Sequence, residues 1–244
     1  YYTRAVDPTL LVGLNDIGTA QAKPTEDTEG RCTMLMDYAY THPNAVIHYH
    51  ASDMQLWIIS DAAYLVLPKA KSRVAVHFHL GWQNNLTRVN GAVAVLCQTL
   101  KNVVGSASEA EIGGVYTGGR HGAPMIATLE EMGHKQPSTG TPFETNNSCA
   151  HGILNSKMRQ KLSKSFDMRY WWMKDRIKQK QYDLQWAPGK TNRADYFTKH
   201  FPPWHHKKKR FQYIQRINRA LSATFALRSF LPSLLHQSQH GRVC

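Results

Sequence analysis

The sequence predicts an α/β fold built on a mixed sheet. Three observations carry this. Residues 56–65, 73–80 and 91–98 are β-prone apolar runs separated by turn-sized gaps, the pattern of an antiparallel meander. From Ser108 onward the apolar spacing turns helical. Two further strand patterns, 141–145 and 182–186, then alternate with helical stretches, as a sheet with crossover helices requires.

Before the meander, residues 6–22 have Leu10, Leu14 and Ile17 at helical spacing, and a second helix is expected over 32–41, stopped by His42-Pro43. Polar, acidic residues 24–30 link the two, and 46–50 reads as a short strand. In the run 56–65, Asp61 sits among apolar neighbours. An unpaired buried carboxylate costs several kcal/mol, which a metal ion would offset. The first long helix has Ser106 or Ser108 as its cap and several glycines that permit close packing. Pro124 is expected to start a new helical segment ending at Glu131 or Met132. Residues 133–140 read as loop and 141–145 as an edge-type strand. Helices follow over 148–162 and 166–179, the second burying Trp171 and Trp172, and a last short helix over 192–199.

The chain has 244 residues and a formal charge of +13, so polyanions are the first partner class, nucleic acid ahead of an anionic membrane. Part of the excess is terminal: from Trp204 to the end there are eight Lys or Arg residues and no acid. The four cysteines form no CxxC pair and read as free thiols in a reducing compartment. No secretory signal is apparent, and the longest apolar stretch, 220–235, is interrupted by Arg228 and Pro232. The start at Tyr1-Tyr2-Thr3-Arg4, without Met, suggests a fragment of a longer protein.

Four pieces in order carry a resemblance: Ser60-Asp61-Ala62-Ala63-Tyr64, Ser108-Glu109-Ala110-Glu111, Thr145-Asn146-Asn147-Ser148-Cys149-Ala150 and Asn192-Arg193-Ala194-Asp195-Tyr196-Phe197-Thr198-Lys199. Together they resemble the ribonuclease H domain of copia-type LTR retrotransposon polyproteins, and Lys164–Tyr170 resembles that family's helix before the last strand. The resemblance covers roughly residues 5–205. It implies a C-terminal remnant of reverse transcriptase over 1–50, a ribonuclease H-like domain over 51–203 and an unassigned basic tail over 204–244. It also implies a five-stranded mixed sheet flanked by helices, and hydrolysis of the RNA strand of an RNA–DNA hybrid with two Mg²⁺ ions, Mn²⁺ being a possible substitute. The implied metal-binding and catalytic residues are Asp61, Glu111, Asn146 and Asp195. Glu111 is preferred to Glu109 because an apolar and then a small residue follow it. The family's third carboxylate precedes an Asn, and that position is Asn146 here. A neutral amide binds Mg²⁺ less well, so activity is expected to be impaired.

The nucleic-acid-binding candidates are Arg169, Lys174, Lys190 and Arg193. The implied partners are an RNA–DNA hybrid or other nucleic acid and the reverse transcriptase part of the same polyprotein, in a cytoplasmic retroelement particle or the nucleus. The alternatives are a catalytically inactive nucleic-acid-binding domain or a non-functional relic.

Simpler roles stand beside these. Asp61 alone fits an exposed edge-strand acid. Glu109 and Glu111 fit first-turn acids favoured by the helix dipole. Asn146-Asn147 fits a helix-cap pair, and Asp195 a capping-box acid after Asn192. His77 and His79 share a strand face but lack an evident third metal ligand. His205–Arg210 reads as a solvated basic linker, and Phe211, Ile214, Ile217 and Leu221 lie at helical spacing. Asn85-Leu86-Thr87 matches a glycosylation sequon.

Overall fold

The computed structural model describes residues 1–83, 89–158 and 168–216. The sequon at Asn85, the segment from Lys164 to Asp167, the stretch 159–162 of the expected helix and the spacing at Ile217 and Leu221 lie outside them. In chain order the helices are α1 (Tyr2–Ala5), α2 (Leu11–Thr19), α3 (Glu26–Thr41), α4 (Ala107–Glu131), α5 (Ser148–Leu154), α6 (Met168–Lys178) and α7 (Pro203–Arg210). The strands are β1 (Ala45–Val46), β2 (Gln55–Leu67), β3 (Lys71–Gly81), β4 (Ala92–Thr99), β5 (Thr141–Thr145), β6 (Tyr182–Trp186) and β7 (Gln215–Arg216).

The expected mixed sheet is present. Five strands lie in the order β4-β3-β2-β5-β6, with β2, β3 and β4 an antiparallel meander and β2, β5 and β6 parallel. Parallel neighbours need crossover connections. α4 supplies the one into β5, and α5 with α6 lies on the one between β5 and β6. Alternation along β2 divides the core. Leu56 and Ile58 pack with Phe78, Ile112, Val115, Phe143 and Met173 on the face covered by α4 and α6. Ile59 packs on the other face with Leu11, Ala75, Val95, Ala194 and Phe197.

α4 lies close to the sheet because it is glycine-rich on that side. A Cβ at Gly118 would fall 2.6 Å from Phe143 Cζ, and one at Gly122 2.5 Å from Ile58 Cδ1. We expect Gly118→Ala to cost about 1–3 kcal/mol by overpacking, read as a lower melting temperature. An unchanged melting temperature would show that the sheet side has room to yield.

Several expectations are corrected. Strand β5 is central, not an edge. Its proline is tolerated because pairing with β2 begins only at Phe143, so the missing Pro142 N–H lies outside that ladder. Pro124 does not start a helix: α4 runs through it, and buried contacts on both sides (Gly122 and Leu129) hold the helix continuous against a cost of about 3 kcal/mol. α3 begins at Glu26, six residues earlier than expected, because Thr25 and Thr28 form a reciprocal capping pair. The segment 46–50 does not join the main sheet; Ala45 and Val46 pair instead with Arg216 and Gln215. α5 stops at Leu154, with Ser156 at φ 60° and Lys157 and Met158 folding back onto the Gly152 carbonyl. The final short helix is a single 3-10 turn, Asp195–Phe197. Trp171 is exposed and Trp172 half-buried, while Tyr170 and Met173 supply the buried contacts of α6.

His205–Arg210 is not a solvated linker. It lies in α7, where His206 meets the hydroxyls of Tyr38 and Tyr196 and Arg210 is buried against Asp7, with Nη2 donating to Oδ2 at 2.7 Å. Among the described residues no helix is long and apolar enough to cross a membrane.

Candidate carboxylate site

Asp61 lies mid-strand in β2, paired with Ala75 and 2% exposed, which removes the exposed-edge reading. Its carboxylate is held by two hydrogen bonds. Thr198 Oγ1 donates to Oδ2 at 2.6 Å, and Asn146 Nδ2 donates to Oδ1 at 2.9 Å. Desolvation raises the Asp61 pKa above the usual carboxylate value, with these two donors pulling against it.

Glu111 approaches from α4. The helix passes close to β2 at this point, where a Cβ on Gly114 would stand 3.5 Å from the Asp61 carbonyl oxygen. Glu111 is 6% exposed, and its Oε2 has no hydrogen-bond partner. Burial, followed by the charge of Asp61, pushes its pKa up to about 8; the Ala62 N–H holds it back. Glu109 faces elsewhere. Its Oε2 accepts from the Gly105 N–H at 2.7 Å, and its own N–H caps onto Ser106 Oγ.

Asn146 follows β5, where its carbonyl accepts from Trp186 Nε1 at 3.0 Å. The helix-cap role of the Asn pair falls to Asn147 alone, whose Oδ1 accepts from the Ala150 N–H at 2.8 Å. Asp195 opens the 3-10 turn, and its Oδ1 accepts from Lys199 Nζ at 2.6 Å. It forms no capping box with Asn192. The Asn192 side chain accepts from the Ala194 N–H and donates to the Ser60 carbonyl, which ties the turn to β2.

Asp61, Glu111 and Asp195 act on one another electrostatically, and Lys199 faces all three. Asp61 carries direct hydrogen bonds to Asn146 and Thr198. Thr198 and Lys199 are the residues that site assignment by motif passed over. Both lie inside the quoted Asn192–Lys199 segment, three and four positions after Asp195, so one turn presents all three side chains to the site.

These residues do not fit a two-ion centre. Among the described residues no three His, Cys, Asp or Glu side chains stand close enough to hold a metal ion. Asn146 turns an amide donor, not an acceptor, toward Asp61. Burial and the Asp61 charge favour the protonated form of Glu111, and Asp195 carries an ammonium partner. What the arrangement does is hold the buried Asp61 carboxylate with two neutral hydrogen-bond donors, with the Lys199 ammonium facing it.

The raised Glu111 pKa makes a pH prediction. Between roughly pH 4.5 and about 8 the folded chain keeps a proton that the unfolded chain has released, so stability falls as pH rises through that window. His79, lowered to about 4 by burial and then by Arg193, works oppositely: it is neutral in the fold, and stability falls as pH drops from 6.5 toward 4. His77 is lowered in the same way. The interval from 6.5 to 8 is therefore where Glu111 dominates. We expect the urea midpoint to decline across it, and the decline to vanish in Glu111→Gln. A flat profile for the unmodified chain would contradict the burial argument.

The basic candidates divide between two places. Arg169 borders a cavity of about 230 Å³ with Lys101 and Arg120, and Lys174 Nζ donates to Tyr170 Oη at 3.2 Å. Lys190 and Arg193 border a different cavity on the other face of the sheet. The four do not form one surface. His77 and His79 are both buried, their ring centroids 5.5 Å apart.

The strand order, with its antiparallel first half and parallel second half, is the five-stranded mixed sheet expected from the sequence. No family model matches the chain, and no curated protein matches it. Solved structures with a similar course do exist. The N-terminal RNase H domain of a Mycobacterium tuberculosis protein, solved as a fusion with maltose-binding protein, is 12% identical with a TM-score of 0.39; the match covers 65% of this chain and 97% of that one. LC11-RNase H1 in complex with an RNA/DNA hybrid is 12% identical with a TM-score of 0.40, over 59% of this chain and 94% of that one. RNase H1 from the halophilic archaeon Halobacterium salinarum is 15% identical with a TM-score of 0.37, over the same shares of 59% and 94%.

Proposed function

We propose that this chain is a retroelement ribonuclease H-like domain that has kept the nucleic-acid-binding character of its class while its hydrolytic site is impaired. The carrying observation is the hydrogen bond from Asn146 Nδ2 to Asp61 Oδ1, an amide donor where RNA-strand hydrolysis would need a metal-binding carboxylate. Two Mg²⁺ ions would bring four positive charges. Asp61, Glu111 and Asp195 supply at most three negative ones, and Lys199 offsets one of them. The site as built therefore suits one divalent ion at best, Mg²⁺ or Mn²⁺, bound weakly. The partner class is an RNA–DNA hybrid or a similar polyanion, supported by the net charge of +13.

The four motifs in order support an origin in a copia-type polyprotein. On this reading residues 1–50 are the end of the reverse transcriptase, 51–203 the ribonuclease H-like domain and 204–244 a basic tail. The protein would then reside in a cytoplasmic particle or the nucleus, beside the polymerase part of the same polyprotein. The test is cleavage of a labelled RNA–DNA hybrid in Mg²⁺ and in Mn²⁺, with hybrid binding measured alongside. Binding that weakens steeply with salt, with turnover about 10²- to 10³-fold below that of Asn146→Asp, is the expected result. Turnover by the unmodified chain at the rate of its Asn146→Asp variant would remove the reading.

A further inference from the structure

On the sheet face opposite α4, a cavity of about 400 Å³ opens between β2, β3, the loop after β6 and the end of α7. Its inner lining is Trp57, Ile59 and His79, all at most 3% exposed. Its outer lining carries Lys190, Arg193 and Lys209. Arg193 is fixed there: Nη1 donates to the Gln212 carbonyl at 3.1 Å, and the guanidinium lies 5.9 Å from the Tyr213 ring centre. Lys190 and Lys209 have no carboxylate partner among the described residues. The single acid of the lining, Glu144, is half-buried, and desolvation raises its pKa, which weakens it as a counter-charge. Two buried polar atoms of the inner lining, Trp57 Nε1 and His79 Nδ1, have no hydrogen-bond partner.

Three cations against one weakened acid make the cavity a place for an anion. The volume lies in the range of about 300–1,000 Å³ typical of small-molecule sites. A wall of indole, imidazole and isoleucine beneath a cationic rim suits a flat, weakly polar body that carries a phosphate. We propose that this cavity binds a phosphate-bearing ligand of mononucleotide size. The phosphate lies on Lys190, Arg193 and Lys209, and the base lies against the Trp57–His79 wall. Asp61, Glu111 and Asp195 are not part of the lining, so the site stands whether or not the carboxylate site turns over.

The phosphate can come from a free nucleotide or from a nucleic-acid strand. Calorimetric titration of the full chain with AMP, with adenosine and with a hexanucleotide lacking terminal phosphates separates these sources. Lys190→Gln with Lys209→Gln should weaken AMP binding by about tenfold or more, since two charge-assisted contacts go. Lys207→Gln with Lys208→Gln removes the same charge from exposed positions on the same helix, and should leave AMP affinity within about twofold. Circular dichroism would establish that both variants fold. Hexanucleotide binding that falls only in the first variant assigns the site to strand phosphates; hexanucleotide binding unaffected by it, while AMP binding falls, assigns it to free or terminal phosphates. Equal loss in both double variants, equal affinity for adenosine and AMP, or no AMP binding would each overturn the proposal.

Discussion

Asn146→Asp is expected to raise hybrid cleavage in Mg²⁺ by about 10²- to 10³-fold, some 3–4 kcal/mol of transition-state stabilisation, by analogy with restoring one preorganised group. The substitution keeps the shape of the side chain and changes its chemistry. An amide that donates to Asp61 Oδ1 becomes a carboxylate that repels it, so the two acids share the site comfortably only with a cation between them. Divalent-ion affinity should therefore rise together with the rate, and calorimetry with Mg²⁺ and Mn²⁺ reads the first while hybrid cleavage reads the second. The same substitution should destabilise the metal-free chain, because Asp61 loses a donor and gains a like charge. A variant that gains neither ion affinity nor rate would place the defect outside Asn146. Lys199 on Asp195 and the buried Glu111 would then be the groups to address.

The second large effect concerns stability. Asp7 and Arg210 form an ion pair with side chains 2% and 6% exposed, and Asp7 also accepts from the Thr9 N–H at 3.1 Å. Asp7→Ala leaves the guanidinium buried without a counter-charge, which is expected to cost about 3–5 kcal/mol, read from urea unfolding. Replacing both partners, as Asp7→Ala with Arg210→Met, should cost clearly less than Asp7→Ala alone, because no charge is then stranded. Equal losses would mean that the pair matters only through packing. This contact fastens α7 to the N-terminal segment. Losing it should also loosen Lys209, and so weaken the anion cavity without touching Asp61.

Much of the fold was legible because it is written in local periodicity. The β-prone apolar runs 56–65, 73–80 and 91–98 and the helical spacing from Ser108 place the meander and α4 correctly. The errors lie where tertiary packing overrides local preference. Pro124 stays inside α4 because residues on both sides are buried, and β5 is central although its length and proline suggest an edge. The basic run 205–210 looks solvated in sequence, yet it folds as a helix whose last residue is buried.

The candidate site divides the same way. The sequence by itself determined that a carboxylate lies inside an apolar strand, that Glu111, Asn146 and Asp195 follow in motif order, and that one of the four side chains is an amide. Only the tertiary structure decided what those groups do to one another. Asp61 meets Asn146 and Thr198, which lie 85 and 137 residues away along the chain. The rise of Glu111 to about 8 depends on its burial on the sheet side of α4 and on the charge of Asp61 beside it. Desolvation and long-range hydrogen bonding are properties of the packed molecule. Periodicity can therefore announce a buried charge, and only the fold can name what satisfies it.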